Sequence, residues 1–222
     1  MRQPDSMALL GLALRFFASL ALWPLAGSLG LALGRLLAHL PWTQGDLPWF
    51  AGGFLAYLAV QIFFWKPLFI YVMGHELTHA LAAVLQGGQA DDLHVSTKGG
   101  KVRVNRSNFI VNLAPYFFPI YTALACLVWA VAADRFLPWI AALIGFTLAF
   151  HFALTLFSLK QHQSDIAEVG WFFAIPLILA LNLVICVLVL RLVAPGPVSL
   201  RAYFLDSWDT LSAGARWVRL RV

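Results

Sequence analysis

The chain is laid out as apolar runs of about 20 residues, separated by short breaks that carry the charges, prolines and glycines. A hydrocarbon core about 30 Å thick takes about 20 helical residues at 1.5 Å each. Within lipid, only a helix or a closed barrel satisfies its own backbone. Six runs meet that measure, at roughly 16–34, 48–65, 68–86, 108–132, 136–158 and 169–193. Pro24 is expected to kink the first, Lys66-Pro67 closes the second, and Pro115 and Pro119 are expected to kink the fourth. Arg15 interrupts the apolar stretch of the first run and five more follow, so it reads as a retained helix rather than a cleaved leader. The fold class implied is an all-α polytopic membrane protein with about six transmembrane helices.

Composition agrees. Of 222 residues, 61% are hydrophobic and 11% charged, with a mean hydropathy of +0.81. A soluble domain carries about 25% charge, and half of that cannot cover a water-facing surface. This excludes a disordered chain, a secreted disulfide scaffold and a soluble nucleic-acid binder. The formal charge of +5 is scattered, which suits anionic lipid headgroups and argues against a nucleic-acid partner. Cys126 and Cys186 lie inside apolar runs and read as buried free thiols.

Two segments fall outside the runs. Residues 92–104 alternate around Gly99-Gly100 and read as a β-hairpin between the third and fourth helices. Residues 1–193 thus form a membrane-embedded domain, and 194–222 an amphipathic tail beginning at Pro195-Gly196-Pro197. In that tail Leu200, Phe204, Trp208, Leu211, Ala215 and Val218 recur at helical spacing, with Arg216, Arg219 and Arg221 toward its end. Such a helix lies in the membrane interface or docks on the bundle.

The third run contains His75-Glu76-Leu77-Thr78-His79. His75 and His79 are four apart on a helix, so both imidazoles leave one face and can hold one Zn²⁺. Glu76 can reach the metal's open position as general base for a water. A shuffled chain with six His and two Glu would carry this pattern roughly once in 700. Two imidazoles and a carboxylate inside a span are also costly unless they face one another, water or a metal.

A third ligand must come from the same side of the membrane. The loop 159–168 supplies His162, Asp165 and Glu168, and His151 lies about 10 Å inside the end of the fifth run. Asp165 is preferred for its place just before an apolar helix, where its other role would be a helix cap. The cysteines lie toward the opposite side.

In this order the chain resembles the site-2 protease family of intramembrane zinc metalloproteases, in particular its compact bacterial members. The resemblance covers about residues 68–185 and rests on the His75–His79 motif, the 92–104 hairpin, Asn112 in Asn-Leu-Ala-Pro-Tyr116, and Asp165. The family's Leu-Asp-Gly is replaced by Ser164-Asp165-Ile166, and its Gly-Pro approach to the asparagine by Asn108-Phe109. The resemblance implies metal ligands His75, His79 and Asp165, a catalytic Glu76, and substrate contact by Asn112. It also implies a membrane-protein substrate and residence in the bacterial inner membrane, with the site on the cytoplasmic side. A non-proteolytic membrane scaffold that keeps a zinc site is the alternative. A transporter is disfavoured by the lack of repeat symmetry.

Six crossings would put both ends of the chain opposite the site. Arg35, Lys98, Lys101, Arg103, Arg106 and Lys160 would then share the site's face. Arg2, Arg15, Lys66, Arg135, Arg191, Arg201, Arg216, Arg219 and Arg221 would lie on the other. That balance runs against a cytoplasmic site, since basic residues gather on the cytoplasmic side.

Overall fold

The computed structural model describes residues 6–64, 66–161 and 163–219, with no side-chain description for 6–9, 218 and 219. His162, Arg2 and Arg221 lie outside the described residues, as do the side chains of Val218 and Arg219. The chain is all-α with one small hairpin, in the order α1 (Ser6–His39), α2 (Leu47–Phe63), α3 (Leu68–Leu85), β1 (Ala90–Ser96), β2 (Gly99–Val104), α4 (Phe109–Phe117), α5 (Ile120–Val131), a 3₁₀ turn (Asp134–Phe136), α6 (Leu137–Leu159), α7 (Ser164–Val169), α8 (Trp171–Val193) and α9 (Leu200–Arg219). By length and apolarity α1, α3, α6 with its 3₁₀ start, and α8 can each cross a membrane, and α4 with α5 forms a bent fifth candidate. The 17 residues of α2 make it a shorter apolar helix.

The broken helix has a local cause. Pro119 cannot donate a backbone hydrogen bond, and the chain turns by 68° between α4 and α5 there. Pro24, by contrast, is carried within a continuous α1. The segment expected as the loop 159–168 instead carries the short helix α7, which Gly170 at φ +98° ends before α8 begins.

Where lipid surrounds helices, burial of apolar surface no longer drives their pairing, and close backbone packing takes its place. The α2–α6 pair shows this. A Cβ on Gly53 would fall 1.8 Å from the Ala142 carbonyl oxygen, and one on Gly145 would fall 2.0 Å from that of Phe50. A buried core of Leu29, Leu33, Leu47, Ile144, Leu148, Val187 and Leu190 ties α1, α2, α6 and α8 together.

These contacts set directions. Trp49 meets Trp139 at 5.0 Å between centroids and Tyr57 meets Phe150 at 5.4 Å, so α2 runs parallel to α6. Phe16 stacks on Phe172 at 5.7 Å, and Arg15 donates to the Val169 carbonyl at 3.1 Å, while Gly30 faces Leu183. Hence α1 runs parallel to α8. The start of α1, the ends of α2 and α6, α7, and the starts of α4 and α8 all lie at one end of the bundle. Phe109 against Phe173, 5.7 Å apart, fixes the start of α4 there.

Helix α3 begins and finishes at that same end. Just before it, Lys66 lies 3.8 Å over the Phe157 ring; just after it, Gln86 accepts from Asn108 at 2.6 Å. Despite its length, α3 runs within one half of the bundle, and α2 and α3 together make one net crossing where the apolar runs suggested two. The start of α1 and the end of α8 therefore lie at opposite ends.

The hairpin differs from expectation in its turn. Ser96 pairs with Gly99, so Thr97-Lys98 form the turn and Gly99-Gly100 open β2. Gly100 is needed for a different reason: a Cβ there would sit 2.6 Å from Glu76 Cγ and from Val72 Cγ1. The missing side chain lets β2 lie directly on α3. One extra residue between Asp91 and His94 bulges β1, with Asp92 at φ +51° and its carboxylate 2.9 Å from Arg103.

The tail helix α9 docks on α1. Tyr203 donates to the Leu29 carbonyl at 3.1 Å, Ser207 pairs with Ser28 at 3.0 Å, and Arg35 binds Asp206 at 2.8 Å. The stripe of Tyr203 and Ser207 is the buried one, while Phe204 and Trp208 from the expected apolar face stay exposed. Docking and interfacial placement thus use different faces of one helix.

Candidate metal centre

Helix α3 brings His75 and His79 onto one face, and α7 lays Asp165 against them. Nε2 of His75 and Nε2 of His79 are 3.2 Å apart, and each is 3.4 Å from Asp165 Oδ2. Among the described residues these three form the group that could hold a metal ion. Both imidazoles present the same nitrogen, and the carboxylate presents one oxygen, all toward a common point.

Two of the three candidate ligands have their own support. Asn108 caps α4, accepting from the backbone N–H of Ile110 and Val111 at 2.9 and 3.1 Å. The α4 start thus held places the Val111 carbonyl 2.8 Å from His79 Nδ1, which donates to it and leaves Nε2 with its lone pair free. Asp165 is carried by a helix anchored through buried Ile166 and Val169, packed with Leu113, Tyr116, Ala174 and Ile178. The Tyr116 hydroxyl donates to Asp165 Oδ2 at 3.1 Å, and its ring stands edge-on to His75 at 5.2 Å. Burial alone would raise the Asp165 pKa; the adjoining His75 and His79 side chains outweigh it and hold the carboxyl well below the usual carboxylate range.

Glu76 is buried beneath β2 and, with all three candidate ligands, lines a cavity of about 710 Å³. The other walls come from residues 97–102 of the hairpin, from Phe157 and Ser158 at the end of α6, and from Asn112 and Glu168.

The remaining residues singled out from the sequence are placed as follows. Asn112 lines the cavity with both ends of its amide engaged, accepting from Ser107 at 2.9 Å and donating to Glu168 at 3.0 Å. Glu168 is therefore occupied by Asn112. His151 is buried and pairs with Asn182 at 3.0 Å, outside the His75–His79–Asp165 group. Tyr116, which the sequence reading did not single out, is the added member. An aromatic hydroxyl one turn after Asn112 was the only signal for it.

Comparison of the chain with protein-family models, with curated proteins and with solved structures yields no match.

Proposed function

We propose that this chain is an intramembrane zinc endopeptidase of the bacterial inner membrane, acting on membrane-spanning or membrane-associated proteins. The observation that carries the reading is the ligand triangle of 3.2, 3.4 and 3.4 Å. Ligands at about 2.0–2.1 Å from a tetrahedral Zn²⁺ are separated by about 3.3–3.4 Å along each edge. Two imidazoles and one carboxylate are a donor set that suits this ion and leaves one position open.

Bound there, zinc would acidify a water and polarise a peptide carbonyl. His75, His79 and Asp165 hold the ion, with Tyr116 and the Val111 carbonyl fixing the orientation of two of them. Glu76 takes the proton from the attacking water and returns it to the leaving amine. Gly100 keeps the Glu76 carboxylate covered, and β2 shields it from bulk solvent.

A helical substrate hides its amides and must unwind before attack. Strand β2 offers a hold for the unwound stretch. Its inner edge pairs with β1, while residues 99–102 line the cavity. Alternate residues of an antiparallel strand turn their N–H and C=O outward, so β2 can accept an added strand beside Glu76.

The test is zinc per polypeptide in detergent-purified wild type, His79→Ala and Asp165→Ala, joined to proteomic comparison of membrane peptides from cells expressing wild type or Glu76→Gln. About one zinc in wild type, lost in both ligand variants, with cleavage products absent in Glu76→Gln, is the expected result. Zinc retained in Glu76→Gln with no change in products would leave a metal-bearing scaffold. Zinc-free folded wild type would overturn the reading.

A further inference from the structure

The two metal-facing histidines are unequally supported. His79 donates from Nδ1 to the Val111 carbonyl, but His75 Nδ1 is buried without a partner among the described residues. With Nε2 turned to the metal position, the neutral His75 ring must carry its proton on Nδ1. A buried N–H left unpaired costs about 1–3 kcal/mol, so an acceptor is called for.

A second, smaller cavity of about 20 Å³ lies behind the ring, lined by His75, Tyr71, Thr78 and His151 among others. That volume admits one water molecule, which needs only about 10–15 Å³. His151 lines the same cavity, and its hydrogen bonds determine its tautomer. Asn182 donates through Nδ2 to the carbonyls of Tyr116 at 2.9 Å and Ile178 at 2.8 Å, so Oδ1 is the atom facing His151 Nε2 at 3.0 Å. His151 Nε2 therefore carries the proton and donates, and its Nδ1 is left as an acceptor.

We propose that a single ordered water in this cavity joins His75 to His151, making His151 a positioning residue for the metal ligand. The water accepts from His75 Nδ1–H and donates to His151 Nδ1. The chain of bonds then runs from the metal ligand through water and His151 to Asn182, and ends on the backbone of α4 and α8. It fixes the His75 tautomer and ring angle as the Val111 carbonyl fixes those of His79. The inference rests on the metal site proposed above, and it goes beyond that site by assigning a water position and a role to a residue that touches no metal.

Two substitutions separate the two nitrogens of His151. The side-chain amide of Asn overlays Nδ1 of histidine, whereas that of Gln overlays Nε2. His151→Asn keeps a partner for the water and loses the Asn182 contact; His151→Gln does the reverse. Zn²⁺ affinity, measured by competition with a chelating dye in detergent, is expected to fall about 10–100-fold in His151→Gln and to stay near wild type in His151→Asn. Equal affinities in the two variants, or the opposite order, would overturn the relay and leave His151 as a packing residue. Wild type that binds zinc in either of those cases keeps the metal site; wild type that binds none removes the site and the relay together. A second measurement needs no variant: ¹⁵N shifts of ring-labelled wild type should report His151 protonated on Nε2 alone. A proton on Nδ1 would overturn the proposal.

Discussion

The Tyr116 hydroxyl donates to the same oxygen of Asp165, Oδ2, that faces His75 and His79, at 3.1 Å. One carboxylate oxygen is thus steered from a fully buried tyrosine on the broken helix and presented to the two imidazoles. Tyr116→Phe keeps the ring and its packing and removes only this donor. We expect Zn²⁺ affinity to fall about 10-fold or more, with the far-ultraviolet dichroism unchanged. Affinity unchanged in Tyr116→Phe would mean that α7 alone holds the carboxylate in place.

Asp165 also sets an acid limit in the metal-free protein. Its folded pKa is lowered, because the adjoining His75 and His79 side chains outweigh the effect of burial. A lowered carboxylate pKa contributes stability that is present above the ordinary value of about 3.9 and lost as pH falls toward the folded pKa. Thermal midpoints of apo wild type should therefore decline below about pH 4. Asp165→Asn should lower the midpoint at neutral pH and flatten that decline. Parallel curves for the two proteins would remove Asp165 from the acid response.

The close approach of α2 to α6 makes a sharper stability prediction. With a Phe50 carbonyl oxygen 2.0 Å from the place of a Cβ at Gly145, even alanine forces the helices apart. Overpacking of this kind costs about 1–3 kcal/mol. Gly145→Ala should lower the detergent thermal midpoint, whereas Gly27→Ala, with open space around it, should not. Equal midpoints would show that α2 is held by its aromatic contacts instead.

Much of the candidate site was legible in the sequence because its geometry is local. The i, i+4 histidines with an intervening glutamate need only a helix to become a ligand pair, and α3 supplies it. Asp165 was legible as one of four options, since chain order limits which loops reach the site without choosing among them. What the sequence hid is tertiary. Tyr116 looks like any aromatic of an apolar run until α4 and α7 meet. Gly99-Gly100 has turn chemistry, yet Gly100 serves close contact with Glu76. Above all, an 18-residue apolar helix reads as a crossing whether it stands across a membrane or lies within one half of it. Only the neighbours at its two ends, Phe157 and Asn108, tell these apart.

That last point carries the prediction on topology. With α2 and α3 sharing one net crossing, Arg15, Lys66, Lys98, Lys101, Arg103, Arg106 and Lys160 fall on the site's side. The other side keeps Arg35, Arg135, Arg191 and Arg201 near the helix ends, with Arg216 farther along α9. Basic residues close to the spans now favour the site's side, where six crossings had favoured the other. The positive-inside rule then predicts a cytoplasmic site, the side that the resemblance implied. Single cysteines at Ser96 and Ser199, in a Cys126→Ala, Cys186→Ala background, should differ in labelling by a membrane-impermeant maleimide in intact cells. Ser199 should label from outside, and Ser96 only after lysis. Labelling of both from the same side would restore an even number of crossings between hairpin and tail, and would require α4–α5, α6 or α8 to stop short of the far face.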